Sequence, residues 1–316
     1  MSARIRFFPS LMFSFLILPA LTFAQMNNGL SSEEVEALRN NATDTPGTGP
    51  FPATKVVEAG LHDQVVYRPA DLGALGGTKL GIYAFGNGSC TDDAAHSRFH
   101  PLEVASHGYL AIVPGEIYTG ADAIERPASD ADRTTPASTP AYLKAAIDWA
   151  LAENARPGSP YYGLIDPEMI AVSGFSCGGI QALINAGDER VSTVVIMNSG
   201  LYIGRPTTMT GLSTDKNVLQ EIHTPIIYIL GGETDIAYEN GMDDYANINH
   251  VPAAVANIHK GHGGTYWEPN GGPAAQVAVN WLEWQLRGDQ EAARMFVGEH
   301  CGLCEDPAWT YQKKGF

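Results

Sequence analysis

Short apolar runs bounded by turn residues set the rhythm of this chain. Leu80-Gly-Ile-Tyr-Ala-Phe85, Tyr109-Leu-Ala-Ile-Val113, Met169-Ile-Ala-Val172, Val191–Met197 and Pro225–Leu230 carry almost no polar positions. Continuous rather than alternating apolar character marks strands buried on both faces. Gln64–Arg68 reads as a further strand and Ala253–Ile258 as a weaker one. Between them the period changes. Thr139-Pro140 opens a helix, because proline is tolerated at the first helical position, and Leu143, Ala146, Ile147, Ala150 and Leu151 then recur at helical spacing. Gln276–Leu286 is amphipathic, with Val277, Trp281 and Trp284 on one side, and Gly179–Ala186 is helix-like. Asp92 to His107 reads as a helix that starts at an aspartate cap and stops at Gly108. Strands alternating with helices predict an α/β fold, a mostly parallel central sheet flanked by helices on both faces.

The two ends read differently. Arg4 and Arg6 precede an apolar run, Phe7 to Phe23, that is interrupted by Pro9, Ser10, Ser14 and Pro19 and followed by the small Ala24. Residues 1–24 therefore read as a secretory signal peptide. The prolines and the short apolar core argue against a membrane anchor, which needs about 20 apolar residues. Residues 25–54 read as an N-terminal arm with a short helical pattern at Glu33–Arg39, and 55–316 as one domain, without internal repeats.

Charge narrows the classes of partner. The 316 residues hold 19 Lys plus Arg against 35 Asp plus Glu, a net charge of −16. That disfavours nucleic acid and anionic lipid surfaces, both of which require a cationic surplus. Export permits disulfides among Cys90, Cys177, Cys301 and Cys304. Cys301-Gly-Leu-Cys304 is a single CxxC pair; without a second pair, a local disulfide is expected rather than zinc.

The chemistry concentrates at Gly174-Phe-Ser176-Cys-Gly178, directly after the run Met169–Val172 and before a helical stretch. A sharp strand-to-helix turn would lift the Ser176 hydroxyl above the sheet, and the small flanking residues would let strand and helix approach closely. A serine nucleophile needs a base, and the base needs an orienting acid. Gly231-Gly-Glu233-Thr-Asp235 follows the strand Ile226–Leu230, which offers Asp235 as the acid with Glu233 as the alternative. Lys260-Gly-His262-Gly-Gly264 offers His262 as the base, with His259 second; His250 and His300 read as surface or packing residues. The oxyanion needs two donors: the amide of Cys177 is one, and the Gly86–Cys90 loop, through Ser89, supplies the other. Asn87-Gly-Ser89 is nominally a glycosylation site, read as unmodified because a glycan would block that loop.

These motifs resemble the α/β-hydrolase superfamily, whose order is the one seen in Ser176, Asp235 and His262. The resemblance covers roughly residues 55–290 and is nearest to lidless secreted esterases of the dienelactone-hydrolase and cutinase-like polyester-hydrolase type. Their oxyanion loop, nucleophile elbow, acid loop and base loop match Gly88-Ser89, Gly174 to Gly179, Gly231 to Asp235 and Gly261-His262. Polyester hydrolases usually carry Met where this chain has Cys177, and a Trp where it has Gly200-Leu-Tyr202, so their specificity does not carry over.

The resemblance implies an α/β-hydrolase fold over 55–316 and a secreted serine carboxylic-ester hydrolase that works through an acyl-enzyme. The stretch 198–224 is too short for a large lid, so the site should be open, suited to small, bulky or polymeric esters and lined by Phe175, Tyr202 and Trp267. No metal or organic cofactor is implied, and a monomer without a membrane or nucleic-acid partner is expected. A serine peptidase or amidase, a non-catalytic binding protein on the same fold, and an acyltransferase are the rival readings. If the Ser89 and Cys177 amides converge on one oxyanion, Cys90 and Cys177 should also lie close enough to form a disulfide, which leaves Cys301 with Cys304; the alternative is two free thiols.

Overall fold

Residue alternation along the central strands explains how one sheet carries two cores. On the third strand, Ile82 and Ala84 face one apolar cluster while Tyr83 and Phe85 face the other, as a two-residue period requires. The computed structural model describes residues 42–127, 137–209 and 212–316, with isolated positions between 33 and 40. The signal peptide read over 1–24 and most of the short helical pattern after it lie outside the described residues.

The strands are β1 (Ala53–Val56), β2 (Gln64–Pro69), β3 (Leu80–Gly86), β4 (Tyr109–Pro114), β5 (Ile165–Phe175), β6 (Thr193–Met197), the short pair β7 (Thr207–Met209) and β8 (Leu212–Thr214), β9 (Ile226–Leu230), β10 (Ala253–Ile258) and β11 (Trp309–Lys314). Among the described residues a nine-stranded sheet runs in the order β1-β2-β4-β3-β5-β6-β9-β10-β11. From β4 to β10 all neighbours are parallel; β1, β2 and β11 add antiparallel edges. The expected α/β architecture with a mostly parallel, helix-flanked sheet is therefore present.

The helices are α1 (Phe99–Ser106), α2 (Pro140–Ala155), α3 (Cys177–Asn185), α4 (Tyr238–Asn247), α5 (Gly272–Arg287) and the short α6 (Gln290–Ala293) and α7 (Gly302–Glu305). On one face Ile147 of α2 and Ile180 of α3 pack with Val172, Val194 and Tyr228. On the other, Leu102 of α1 and Trp281 of α5 pack with Ala171, Val195 and Ile227. No helix among the described residues is long and apolar enough to cross a membrane.

Two boundaries differ from the sequence reading for identifiable reasons. The helix expected from Asp92 begins only at Phe99. The Asp93 carboxylate accepts the Ala95 amide at 3.1 Å, the Tyr118 amide at 3.2 Å and the Thr119 hydroxyl. Asp92, the residue read as the cap, has its own carboxylate paired with Arg126 at 2.6 Å, so both side chains serve the loop after β4 and neither opens the helix. At the N-terminal side, β1 crosses the arm boundary drawn at residue 54, and the chain before it is anchored by Asp44, which pairs with Arg98 and Lys55.

The sheet centre is shaped by an absence of side chains. A Cβ on Gly178, in α3, would lie 2.0 Å from the Gly86 carbonyl oxygen at the end of β3, and one on Gly174 would lie 2.3 Å from the Gly178 carbonyl. Backbone thus meets backbone where β3, β5 and α3 converge, and neither partner can swing aside. Gly178→Ala is expected to lower stability by about 3 kcal/mol or more, through overpacking that no rotamer can relieve. Urea unfolding of the two proteins measures this; a loss under about 1 kcal/mol would show that the contact yields.

Candidate active site

Ser176 occupies the single-residue turn between β5 and α3 with φ 53° and ψ −117°, a conformation that L-residues with a side chain rarely adopt. The flanking structure holds it there. Its amide donates to the Met197 carbonyl at 3.0 Å, its carbonyl accepts the Ser199 hydroxyl at 2.6 Å, and the glycines on both sides permit the close approach. The strain raises the hydroxyl above the C-terminal ends of the parallel strands, where open α/β sheets keep their sites.

Two further loops meet it there. After β10 the chain turns through Gly261 (φ 65°) and brings the His262 Nε2 to 2.9 Å from the Ser176 Oγ. After β9 the loop through Gly231 brings the Asp235 Oδ1 to 2.6 Å from the His262 Nδ1. Ser176, His262 and Asp235, chosen from three separate stretches of sequence, are thus in one hydrogen-bonded line. Glu233 is exposed on the same loop as Asp235. His259 is exposed directly after β10, its ring beside Gly232. The His250 Nε2 lies 2.8 Å from the Ile222 carbonyl oxygen, and His300 pairs with Glu305 at the surface.

Asp235 is the buried member, 3% exposed. Its Oδ1 also accepts the Ala237 amide at 2.9 Å, and its Oδ2 accepts the Gly231 amide at 3.0 Å and the Asn198 side-chain amide at 2.8 Å. Burial alone pushes this carboxyl up, but His262 and the backbone donors outweigh it and hold Asp235 below its ordinary value. Elsewhere, burial pushes His100 down to about 3, so this ring, 2.8 Å from the Tyr83 hydroxyl, stays neutral.

Asn198 is the residue that sequence reading missed. It follows β6 directly, in a left-handed conformation (φ 45°) that Asn tolerates better than most residues. Its Nδ2 donates both to Asp235 and to the Gly261 carbonyl at 3.2 Å, and its Oδ1 accepts the Tyr266 hydroxyl at 3.1 Å. One side chain therefore ties the acid loop to the base loop. A polar residue closing an apolar parallel strand was the available signal.

Ser89 stands exposed, with φ 54°, on the Gly88–Cys90 turn after β3. That turn is bonded covalently to the residue after Ser176: Cys90 and Cys177 form a disulfide with their Cα atoms 5.3 Å apart. Cys177 is the first residue of α3, where helix amides have no acceptor within the helix. Cys301 and Cys304 form the second disulfide. Both pairings are the ones the sequence implied.

A shallow, open pocket of about 80 Å3 adjoins Ser176 and His262, with Ile180, Tyr202, Ile236 and Asn240 among its walls. Of the three aromatic residues expected there, Tyr202 lines it. Phe175 is buried beneath, its ring 4.3 Å from that of Tyr266 and 5.3 Å from that of His262. Trp267 lies against His96, with ring centroids 6.0 Å apart. Among the described residues no group of three or more His, Cys, Asp or Glu could hold a metal ion. Chemically, the arrangement can deprotonate a serine hydroxyl and stabilise the imidazolium that results. No protein-family model matches the chain, and no curated protein matches it.

The depressed Asp235 carboxyl has a thermodynamic consequence. Because its folded-state value lies below the unfolded one, roughly 4, its contribution to stability is complete above that pH and is lost as pH falls through the folded value. Denaturant midpoints of the wild type and Asp235→Asn should therefore differ most near neutrality and converge in acid. A gap that stays constant with pH would contradict an ionised, donor-held Asp235.

Proposed function

We propose that this protein is a serine carboxylic-ester hydrolase on the α/β-hydrolase fold, acting through an acyl-enzyme. The observation that carries the reading is the unbroken line from the Ser176 Oγ to the His262 Nε2 at 2.9 Å and from the His262 Nδ1 to the Asp235 Oδ1 at 2.6 Å, with the serine on a strained elbow. His262 takes the hydroxyl proton as Ser176 attacks the ester carbonyl. Asp235 fixes the imidazole with its Nδ1 proton inward and stabilises the cation. His262 then hands the proton to the departing alcohol, and water attacks the acyl-serine by the same route in reverse.

The oxyanion would be held by the amides of Cys177 and Ser89. The Cys90–Cys177 disulfide supports this assignment, because it keeps the two donor segments together with their Cα atoms 5.3 Å apart. Two disulfides also support an exported protein, since such bonds persist in oxidising compartments. The open pocket beside Ser176 supports direct access by substrates without a large lid.

A fluorophosphonate probe combined with 4-nitrophenyl ester turnover tests the reading and separates it from a non-catalytic protein on the same fold. The wild type is expected to be labelled at Ser176 and to hydrolyse the ester. Ser176→Ala should lose labelling and at least about a thousandfold in kcat while keeping its unfolding midpoint. Absence of labelling in the folded wild type, or ester turnover within about tenfold of it in Ser176→Ala, a barrier change of only about 1.4 kcal/mol, would refute the assignment.

A further inference from the structure

Among the described residues every lysine and arginine head group has a carboxylate or backbone carbonyl partner except Arg205. In a chain with 35 acidic and 19 basic residues, an unmatched guanidinium is out of character. Arg205 is exposed, and its Cζ lies 4.5 Å from the centroid of the Tyr202 ring. Tyr202 in turn lines the pocket that contains Ser176 and His262.

The backbone accounts for this placement. The Tyr202 amide donates to the Thr207 hydroxyl at 2.7 Å, and Gly204 turns the chain with φ 69°, which folds Arg205 back over the ring. Contact with the aromatic face engages no hydrogen-bond acceptor and leaves the N–H edges of the guanidinium for a ligand. Those edges suit a carboxylate, which they can engage with two parallel hydrogen bonds.

The neighbouring surface carries exposed apolar side chains. Ile236 lines the same pocket yet is 51% exposed, and Ile203, next to Tyr202, is 50% exposed. The pocket itself, about 80 Å3, is well below the roughly 300–1,000 Å3 of sites that enclose a whole ligand. A substrate must therefore extend beyond it, and Tyr202, which lines the pocket and carries Arg205 on its ring, links the pocket to that cation.

We infer that Arg205 and Tyr202 form a carboxylate-binding rim, and that the substrate class is the half-ester of an aliphatic dicarboxylic acid. The inference rests on the ester-hydrolase reading and names its substrate. The acyl half is the part read, and since it stays tethered to Ser176 after the alcohol has left, the rim holds it through both chemical steps. Attack by the Ser176 Oγ forms the acyl bond, and the ester C–O bond breaks as the alcohol leaves with the proton from His262. Water then supplies an oxygen to the acyl carbon and returns a proton to Ser176. The products are one alcohol and one dicarboxylate, with no oxidant or reductant required.

The test compares mono-4-nitrophenyl adipate with 4-nitrophenyl hexanoate, which matches it in acyl length but lacks the charge. In the wild type kcat/KM should favour the adipate, and in Arg205→Gln the charged-to-neutral ratio should fall about fivefold or more, between the worth of an exposed ion pair and that of a charge-assisted hydrogen bond. Arg205→Lys should recover part of the ratio. Binding of monomethyl adipate to Ser176→Ala, followed by NMR titration with and without Arg205→Gln, reads the same rim without turnover. A weakened Kd in the double variant supports the rim even if neither nitrophenyl ester is hydrolysed, an outcome that would instead sink the hydrolase reading. An unchanged ratio with an unchanged Kd, no binding of monomethyl adipate, or discrimination only for a carboxylate on the alcohol side would overturn the inference.

Discussion

The buried carboxylate of Asp235 is the constraint around which the site is organised. An ion without water is tolerated only when its lone pairs are filled. Here four donors fill them: the ring of His262, the amides of Gly231 and Ala237, and the side chain of Asn198. They come from the ends of β6, β9 and β10 and from the approach to α4, so satisfying one charge fixes four pieces of chain at once. Position of the imidazole follows from that, and the contact with Ser176 follows from the imidazole.

A second constraint acts from the opposite side. Gly86, Gly174 and Gly178 let β3, β5 and α3 touch backbone to backbone. The contact holds the elbow close against β3, and Ser176, between Gly174 and Gly178, has its positive φ of 53° there. The Cys90–Cys177 disulfide then holds the loop after β3 against the first turn of α3. One half of the site is positioned by charge satisfaction and the other by close packing with a covalent tie. They meet at the single hydrogen bond between His262 and Ser176.

This division explains what the sequence disclosed. Features that reside in contiguous residues were readable: the continuous apolar runs of the parallel strands, the glycines around Ser176, and the glycines that flank His262. The disulfide was readable because Cys177 sits beside the elbow and Cys90 beside the proposed second donor. Asn198 was not, since what distinguishes it is its bonds to residues 235, 261 and 266, none of them near it in the chain. The start of α1 was misplaced because Asp92 pairs with Arg126, and Asp93 with Thr119 and Tyr118, instead of capping a helix. Trp267 was grouped with Tyr202 on residue type alone, whereas the fold sets it against His96. Arg205 carries no pattern at all; what sets it apart is the pairing of the other basic side chains among the described residues.

If the donors around Asp235 orient His262, removing one that touches neither the imidazole nor the serine must still be felt in the chemical step. Asn198→Ala supplies that case. The most direct measurement is kcat and KM for a 4-nitrophenyl ester, with the unfolding midpoint as a check that the fold persists. The account predicts a fall in kcat of about tenfold or more with little change in KM, the mark of an interaction that matters in the transition state rather than in binding. A folded Asn198→Ala protein with kcat within about twofold of wild type, under half a kcal/mol in barrier, would contradict it.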